Sequence, residues 1–243
     1  MTARVFHMEK AILQNIYKIY TTKIMHIDFT KIFPGVSFGT GIQIIGIKNI
    51  TIGQGSCIGE STWINVCHRD DKKHINIGSC VLIWRNSMIS SGGYVEIGDY
   101  CLFAPRVFVS DADHVYSNII MPYMDQGATS GNLVIEENCW LGINTVISGN
   151  IIVGRGCVIG ANSVVTHSIP PFCVVAGAPA HIIKIFDFAS NTRIKVRGEE
   201  HIQELLESRE KHTVPSREEY ALILKKNTKT QKIDPIVGGG YSI

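Results

Sequence analysis

Between Leu133 and Lys184 the chain repeats itself every six residues. The anchors are Ile135, Leu141, Ile147, Val153, Ile159 and Val165, each a branched aliphatic. The fifth residue of each unit is small or β-branched: Cys139, Thr145, Ile151, Cys157, Ser163 and Ile169. The second is often Gly (Gly142, Gly154, Gly160), and the fourth is often Asn or Gly (Asn138, Asn144, Asn150, Gly156, Asn162). A helix needs a period of 3.6 and an ordinary strand a period of 2. A period of six suits short flat strands joined by tight corners, with two of every six side chains pointing inward. Asn and Gly tolerate the positive φ that such corners require. A fixed short period of this kind is the signature of a parallel β-helix.

Upstream, the repeat starts irregularly near Val36 and is clear at Ile52, Ile58 and Ile64, then at Ile77, Ile83 and Ile89, then at Ile97, Phe103 and Val109. Two steps break the count. One falls on "CHRDDKKH", read as a solvated polar excursion; its Cys67, His68, Asp70 and His74 match no zinc spacing, and no metal is expected. The other, over residues 110–132, is the largest interruption. A long loop thrown from a regular solenoid points to function.

Three segments follow: a helical segment over 1–35, the repeat over 36–186, and a C-terminal extension over 187–243. Residues 4–24 have the pattern of an amphipathic helix. It is expected to pack on the open end of the repeat, with a weak membrane-surface contact as the alternative. The stretch "IFDFASNTRIKV" suggests a hairpin, residues 199–211 a helix, and Ser216 with Glu219 the capping box of another.

A repeat needs only neighbouring coils for its core, so 243 residues suffice. A net charge of +2 argues against a nucleic-acid protein held by bulk charge. The N-terminus lacks a secretory pattern and no uninterrupted apolar run reaches membrane length, so a cytoplasmic protein is expected. Cys101, Cys139 and Cys157 fall on small inward positions and are expected to be reduced core filler.

The text "CWLGINTVISGNIIVGRGCVIGANSVVTHSIPPFCVVAGAPAHIIK" resembles the hexapeptide-repeat acyltransferases, most of all the O-acetyltransferases of polysaccharides, maltose and galactosides. The resemblance covers roughly residues 50–184. It implies a mainly β fold: a left-handed parallel β-helix, assembled as a homotrimer, that transfers acetyl from acetyl-CoA to a hydroxyl. The run "VEIGDYCLFAPRVFVSDADH" is similar to the family segment that ends in the catalytic histidine, here His114. An imidazole titrates near ~6.5 and suits a general base. Asp111 and Asp113 are both candidates to orient it or to bind the acceptor; adjacent positions along an extended chain point opposite ways. The family's acceptor-side asparagine falls on Trp84, and the second asparagine of its motif on Asn86. Trp84 offers a face for a sugar ring, with packing at a subunit contact as the alternative.

For the acyl donor, the resemblance implies the backbone of Gly142 and Ile143 beside the thioester arm, with Ala161, Thr166 and His167 one coil on, along one edge. Lys184 stands where the family has a basic residue near the nucleotide phosphates. The expected activity is O-acetylation of a sugar or surface polysaccharide precursor. A xenobiotic acceptor of the streptogramin or chloramphenicol type is the alternative. A γ-type carbonic anhydrase needs two histidines five apart, and His114 has no such partner. A non-catalytic solenoid would not need the long interruption.

Overall fold

Each six-residue unit becomes a short strand and a corner. The computed structural model describes residues 27–210, 212 and 214–228. The chain divides into two compact units, Met1–Ile32 and Phe33–Ile243. In the first, the described part holds one helical turn, α1 (Phe29–Ile32), preceded by Asp28, whose carboxylate accepts the Thr30 N–H at 3.2 Å. The helix expected over 4–24 lies outside the described residues.

The second unit visits three sheets in rotation. The first coil is β1 (Ser37–Phe38), β2 (Gln43–Ile45) and β3 (Ile50–Ile52). The second is β4 (Cys57–Ile58), β5 (Trp63–Val66) and β6 (Ile75–Ile77). The third is β7 (Leu82–Ile83), β8 (Met88–Ser91) and β9 (Tyr94–Ile97). The fourth begins with β10 (Leu102–Phe103) and β11 (Phe108–Ser110). There the chain leaves the coil as an antiparallel ribbon, β12 (Ala112–His114) and β13 (Ala128–Ser130), and returns on β14 (Asn132–Ile135). The fifth is β15 (Trp140–Leu141), β16 (Val146–Ser148) and β17 (Ile152–Val153). The sixth is β18 (Val158–Ile159), β19 (Val164–Val165) and a single bridging residue, Ile169, on Val153. Then β20 (Cys173–Gly177) closes the parallel stack, and β21 (Ala180–Asp187) and β22 (Thr192–Lys195) extend the first sheet antiparallel.

Every coil-to-coil pairing within the three sheets is parallel and in register, for example Phe103 beside Leu141 and Leu141 beside Ile159. Leu141, Ile147, Val153, Ile159 and Val165 all point inward, at most 2% exposed. Cys101, Cys139 and Cys157 are buried between them. The corners turn on residues with φ near +60°: Asn86, Arg106, Asn144 and Asn162 at one corner, Asn138 at another. Asn and Gly meet this demand at low cost.

The C-terminal segment folds back along the coil. α2 (Glu199–Glu210) sends Arg209 to the carbonyls of Pro171 and Phe186, at 2.8 and 3.1 Å. α3 (Arg217–Asn227) starts at Ser216 in a complete capping box with Glu219. Arg217 bridges Glu96 and Glu137, and Asn138 donates to the Tyr220 hydroxyl at 2.6 Å.

The interruption at 110–132 carries secondary structure of its own, the β12–β13 ribbon at its base. The polar excursion is not wholly solvated: His74 is 8% exposed and hydrogen-bonded on both ring nitrogens.

Candidate functional site

Two corner columns hold the residues that the sequence singles out, except Lys184. The first corner lies between the first and second sheets. It stacks Trp84–Asn86, Ala104–Arg106, Gly142–Asn144 and Gly160–Asn162. A backbone ladder joins them: Arg106 N–H to the Arg85 carbonyl at 3.1 Å, Asn144 N–H to Pro105 at 3.2 Å, Asn162 N–H to Ile143 at 2.9 Å. Side chains continue it, with Asn144 donating to Asn162 at 2.8 Å. Gly142 is required here, since a Cβ would lie 2.6 Å from the Ala161 nitrogen. Gly142, Ile143 and Ala161 therefore form one continuous edge.

Thr166 and His167 do not join that edge. They follow β19 and sit at the second corner, between the second and third sheets, bonded to each other at 3.0 Å. The expected single row is corrected to two. Six residues advance the chain one corner and eighteen bring it back, so Ala161 lies over Ile143 but Thr166 lies a corner ahead.

The second corner also carries the polar excursion and the ribbon. Between them is a cavity of about 430 Å³. His114 and Asp113 of β12 line it, with Ser90 and Ser110 from the sheet edge and Cys67 and His68 from the excursion. The opposite strand of the ribbon adds Thr129 and Ser130. His114 is exposed on the ribbon, paired with Ala128 across it.

The two aspartates have separate tasks, and neither bonds the imidazole. Asp111 is 4% exposed, and its carboxylate accepts N–H bonds from Gly92, Gly93 and Tyr94 at 2.7–2.9 Å. It staples the third coil's turn beneath the start of the ribbon. That use of both oxygens corrects the expectation that Asp111 orients His114 or binds acceptor. Asp113 is exposed and accepts the His114 backbone N–H at 2.7 Å. Trp84 and Asn86 belong to the first corner and do not line the cavity, so one protomer does not bring them to His114. Trp84 is half-buried and Asn86 exposed.

Lys184 is exposed on β21, with Lys195 of β22 directly beside it. Sequence reasoning missed Lys195, because the pairing depends on where β21 turns. Like charges opposite one another cost stability, and an anion between them would offset that cost. Between the two corners, the outer face of the second sheet carries an in-register ladder of Trp63, Met88, Phe108, Val146 and Val164, all half-exposed. Among the described residues no group of three or more His, Cys, Asp or Glu side chains is arranged to hold a metal ion.

Comparisons with known proteins agree with this architecture. Residues 132–167 match the family model described as bacterial transferase hexapeptide (six repeats). The chain is 30% identical over 152 residues to the protein named "probable acetyltransferase Rv3034c" of Mycobacterium tuberculosis. That match covers 61% of this chain and 49% of the relative, so the chain spans about half the length of the relative it matches. Among solved structures, AntD, an N-acyltransferase from Bacillus cereus in complex with dTDP and 3-hydroxybutyryl-CoA, aligns with a TM-score of 0.55 at 20% identity. The alignment covers 76% of this chain and 97% of that one. A mutant of AntD, holding dTDP-4-amino-4,6-dideoxyglucose and coenzyme A, aligns at 0.54 and 19% identity, over 77% and 97% of the two chains. The stretch 132–167 is a hexapeptide repeat of the bacterial transferase type.

Proposed function

We propose that the protein is an acetyl-CoA-dependent O-acetyltransferase acting on a sugar hydroxyl, with the coil wound as a left-handed β-helix. The observation that carries this reading is His114, presented by a ribbon into a cavity edged with hydroxyl groups on a hexapeptide coil. The acceptor hydroxyl binds in that cavity. The His114 imidazole takes its proton as the oxygen attacks the thioester carbonyl, and the tetrahedral intermediate collapses with loss of coenzyme A. No enzyme nucleophile is needed. Asp113, Ser90 and Ser110 are candidates to orient the acceptor, a polar set that suits a sugar better than an apolar drug.

The donor lies along the backbone of Gly142, Ile143 and Ala161, where the small Gly142 and Ala161 leave room for a linear arm. Lys184, with Lys195, receives phosphate. Thr166 and His167 of a neighbouring copy meet the arm from the second corner. The Mycobacterium tuberculosis relative's name and the coenzyme-A complexes of AntD support the donor class.

The donor edge and the His114 cavity lie on different corners of one protomer, a strand apart, roughly 10 Å for three residues. A second copy closes that gap if its first corner meets this protomer's second corner. The apolar ladder from Trp63 to Val164 lies between the corners and provides the contact. A homotrimer satisfies every corner at once, and in it Trp84 and Asn86 of one copy approach the neighbour's cavity. The test is a thioester-cleavage assay with acetyl-CoA across sugars, amino-sugar nucleotides and antibiotics of the streptogramin and chloramphenicol types. Release of coenzyme A dependent on a sugar is expected. Release dependent only on an antibiotic or an amine would overturn the assigned acceptor.

A further inference from the structure

The cavity has one wall that the proposed chemistry does not use: Cys67 and His68, on the excursion between β5 and β6. This excursion is held far more firmly than its charged sequence suggests. The Asn49 side chain, 2% exposed, donates to the carbonyls of Asp70 and Lys72 at 2.6 and 2.7 Å. Asp70 accepts the Lys72 N–H at 2.7 Å. Cys67 itself lies 3.3 Å from the Asn65 amide nitrogen and 3.7 Å from the Ser90 hydroxyl.

The centre of the arrangement is His74. Its Nε2 lies 2.8 Å from Asp70 Oδ1, and its Nδ1 contacts the Gly93 carbonyl. Both partners are acceptors only. A neutral imidazole has a single N–H and would leave one of them facing a lone pair; an imidazolium satisfies both. Gly93 is in turn the residue whose N–H binds the buried Asp111 carboxylate, immediately before the ribbon. One hydrogen-bonded chain thus runs from the excursion through His74, Gly93 and Asp111 to the root of β12.

We propose that His74 is a positioning residue: by gripping Asp70 and the Gly93 carbonyl together, it holds Cys67 and His68 in place as a wall of the acceptor cavity. Its removal loosens that wall while the His114 ribbon stays. The inference rests on the acyltransferase reading only for its kinetic consequence.

The charged form is favoured at this site. The Gly93 carbonyl bond raises the His74 pKa above the ordinary histidine value, burial opposes it, and the Asp70 bond and charge add to the rise. Lys72 acts against it, and the His68 ring stands edge-on at 5.9 Å. Asp111 stands behind Gly93. With the folded-state value raised, the clamp is complete below the ordinary histidine value and is lost as pH rises through the raised one.

The experiment uses the full chain with Cys80→Ser, which removes the other exposed thiol among the described residues. Iodoacetamide labelling of Cys67 is followed from about pH 6 to about pH 9, each rate divided by that of Cys67 in the denatured protein at the same pH. In the wild-type background the normalised rate should step up by about 3- to 10-fold as His74 titrates. His74→Gln and the milder Asp70→Asn should label faster at low pH and lose the step. Both variants should raise the acceptor KM by about 10-fold, with kcat less affected and acetyl-CoA binding unchanged. A flat normalised rate, equal in all three proteins, overturns the clamp. An intact step with no change in acceptor KM in either variant overturns its role at the acceptor. Because labelling needs no acceptor, failure of the acyltransferase reading would show separately, as absent turnover in the wild type.

Discussion

His114 and His74 stand at the same corner, and their surroundings give them different work. His114 is exposed, on a ribbon outside the coil, with its side chain open to a ligand. His74 is buried between two acceptors and holds backbone in place. The cysteines divide in the same way. Burial pushes the Cys157 thiol up to about 12 and Cys139 well above the usual thiol range, which predicts that neither reacts at neutral pH. Mass spectrometry after native alkylation should find label on Cys67 and Cys80 and none on Cys101, Cys139 or Cys157; label on the last three would contradict the inward assignment. Val153 makes a second test. Its side chain is fully buried, and Val153→Asp would bury an unpaired carboxylate at a cost of several kcal/mol. Chemical denaturation should show that loss, and an unchanged midpoint would contradict it. His114 was legible as a candidate from an ungapped run of residues. The task of Asp111 was not, because its three N–H donors come from a turn one coil earlier, which no local pattern places beside it.

At the scale of elements, a period of six predicts which side chains face inward, and the five anchors from Leu141 to Val165 do. The insertions were harder to read, because their internal structure obeys no period. The ribbon's two strands are three residues each, too short to stand out from a polar stretch. The split of Thr166 from Ala161 was present in the numbering and needed only the count of corners. The capping box of α3 was legible because it is local: a hydroxyl and a carboxylate three residues apart. Ser216→Ala should cost about 1 kcal/mol of helix stability. Hydrogen exchange of the α3 amides should quicken by roughly the corresponding 5-fold; unchanged exchange would mean that Arg217 and Tyr220 alone fix the helix.

For the whole molecule, the proposed function needs two corners that a single copy of the chain holds apart. The Gly142–Ala161 edge and the His114 cavity flank an apolar ladder, and the proposed assembly would bring these unlike corners together. Light scattering should find a trimer. Met88→Glu, in the middle of the ladder, should dissociate it and abolish turnover while the coil stays folded by circular dichroism, because Met88 faces outward. A fully active monomer would contradict the shared site. No helix among the described residues is long and apolar enough to cross a membrane.

The most direct test of the account is steady-state kinetics of His114→Ala beside the wild type, with acetyl-CoA binding measured separately. Turnover should fall by ~10²- to 10⁴-fold, the usual contribution of a placed general base. Acetyl-CoA affinity should hold, because His114 is not among the residues proposed to hold the donor. Wild-type turnover in the variant, or a covalent acetyl-enzyme trapped on the path, would contradict direct transfer through His114.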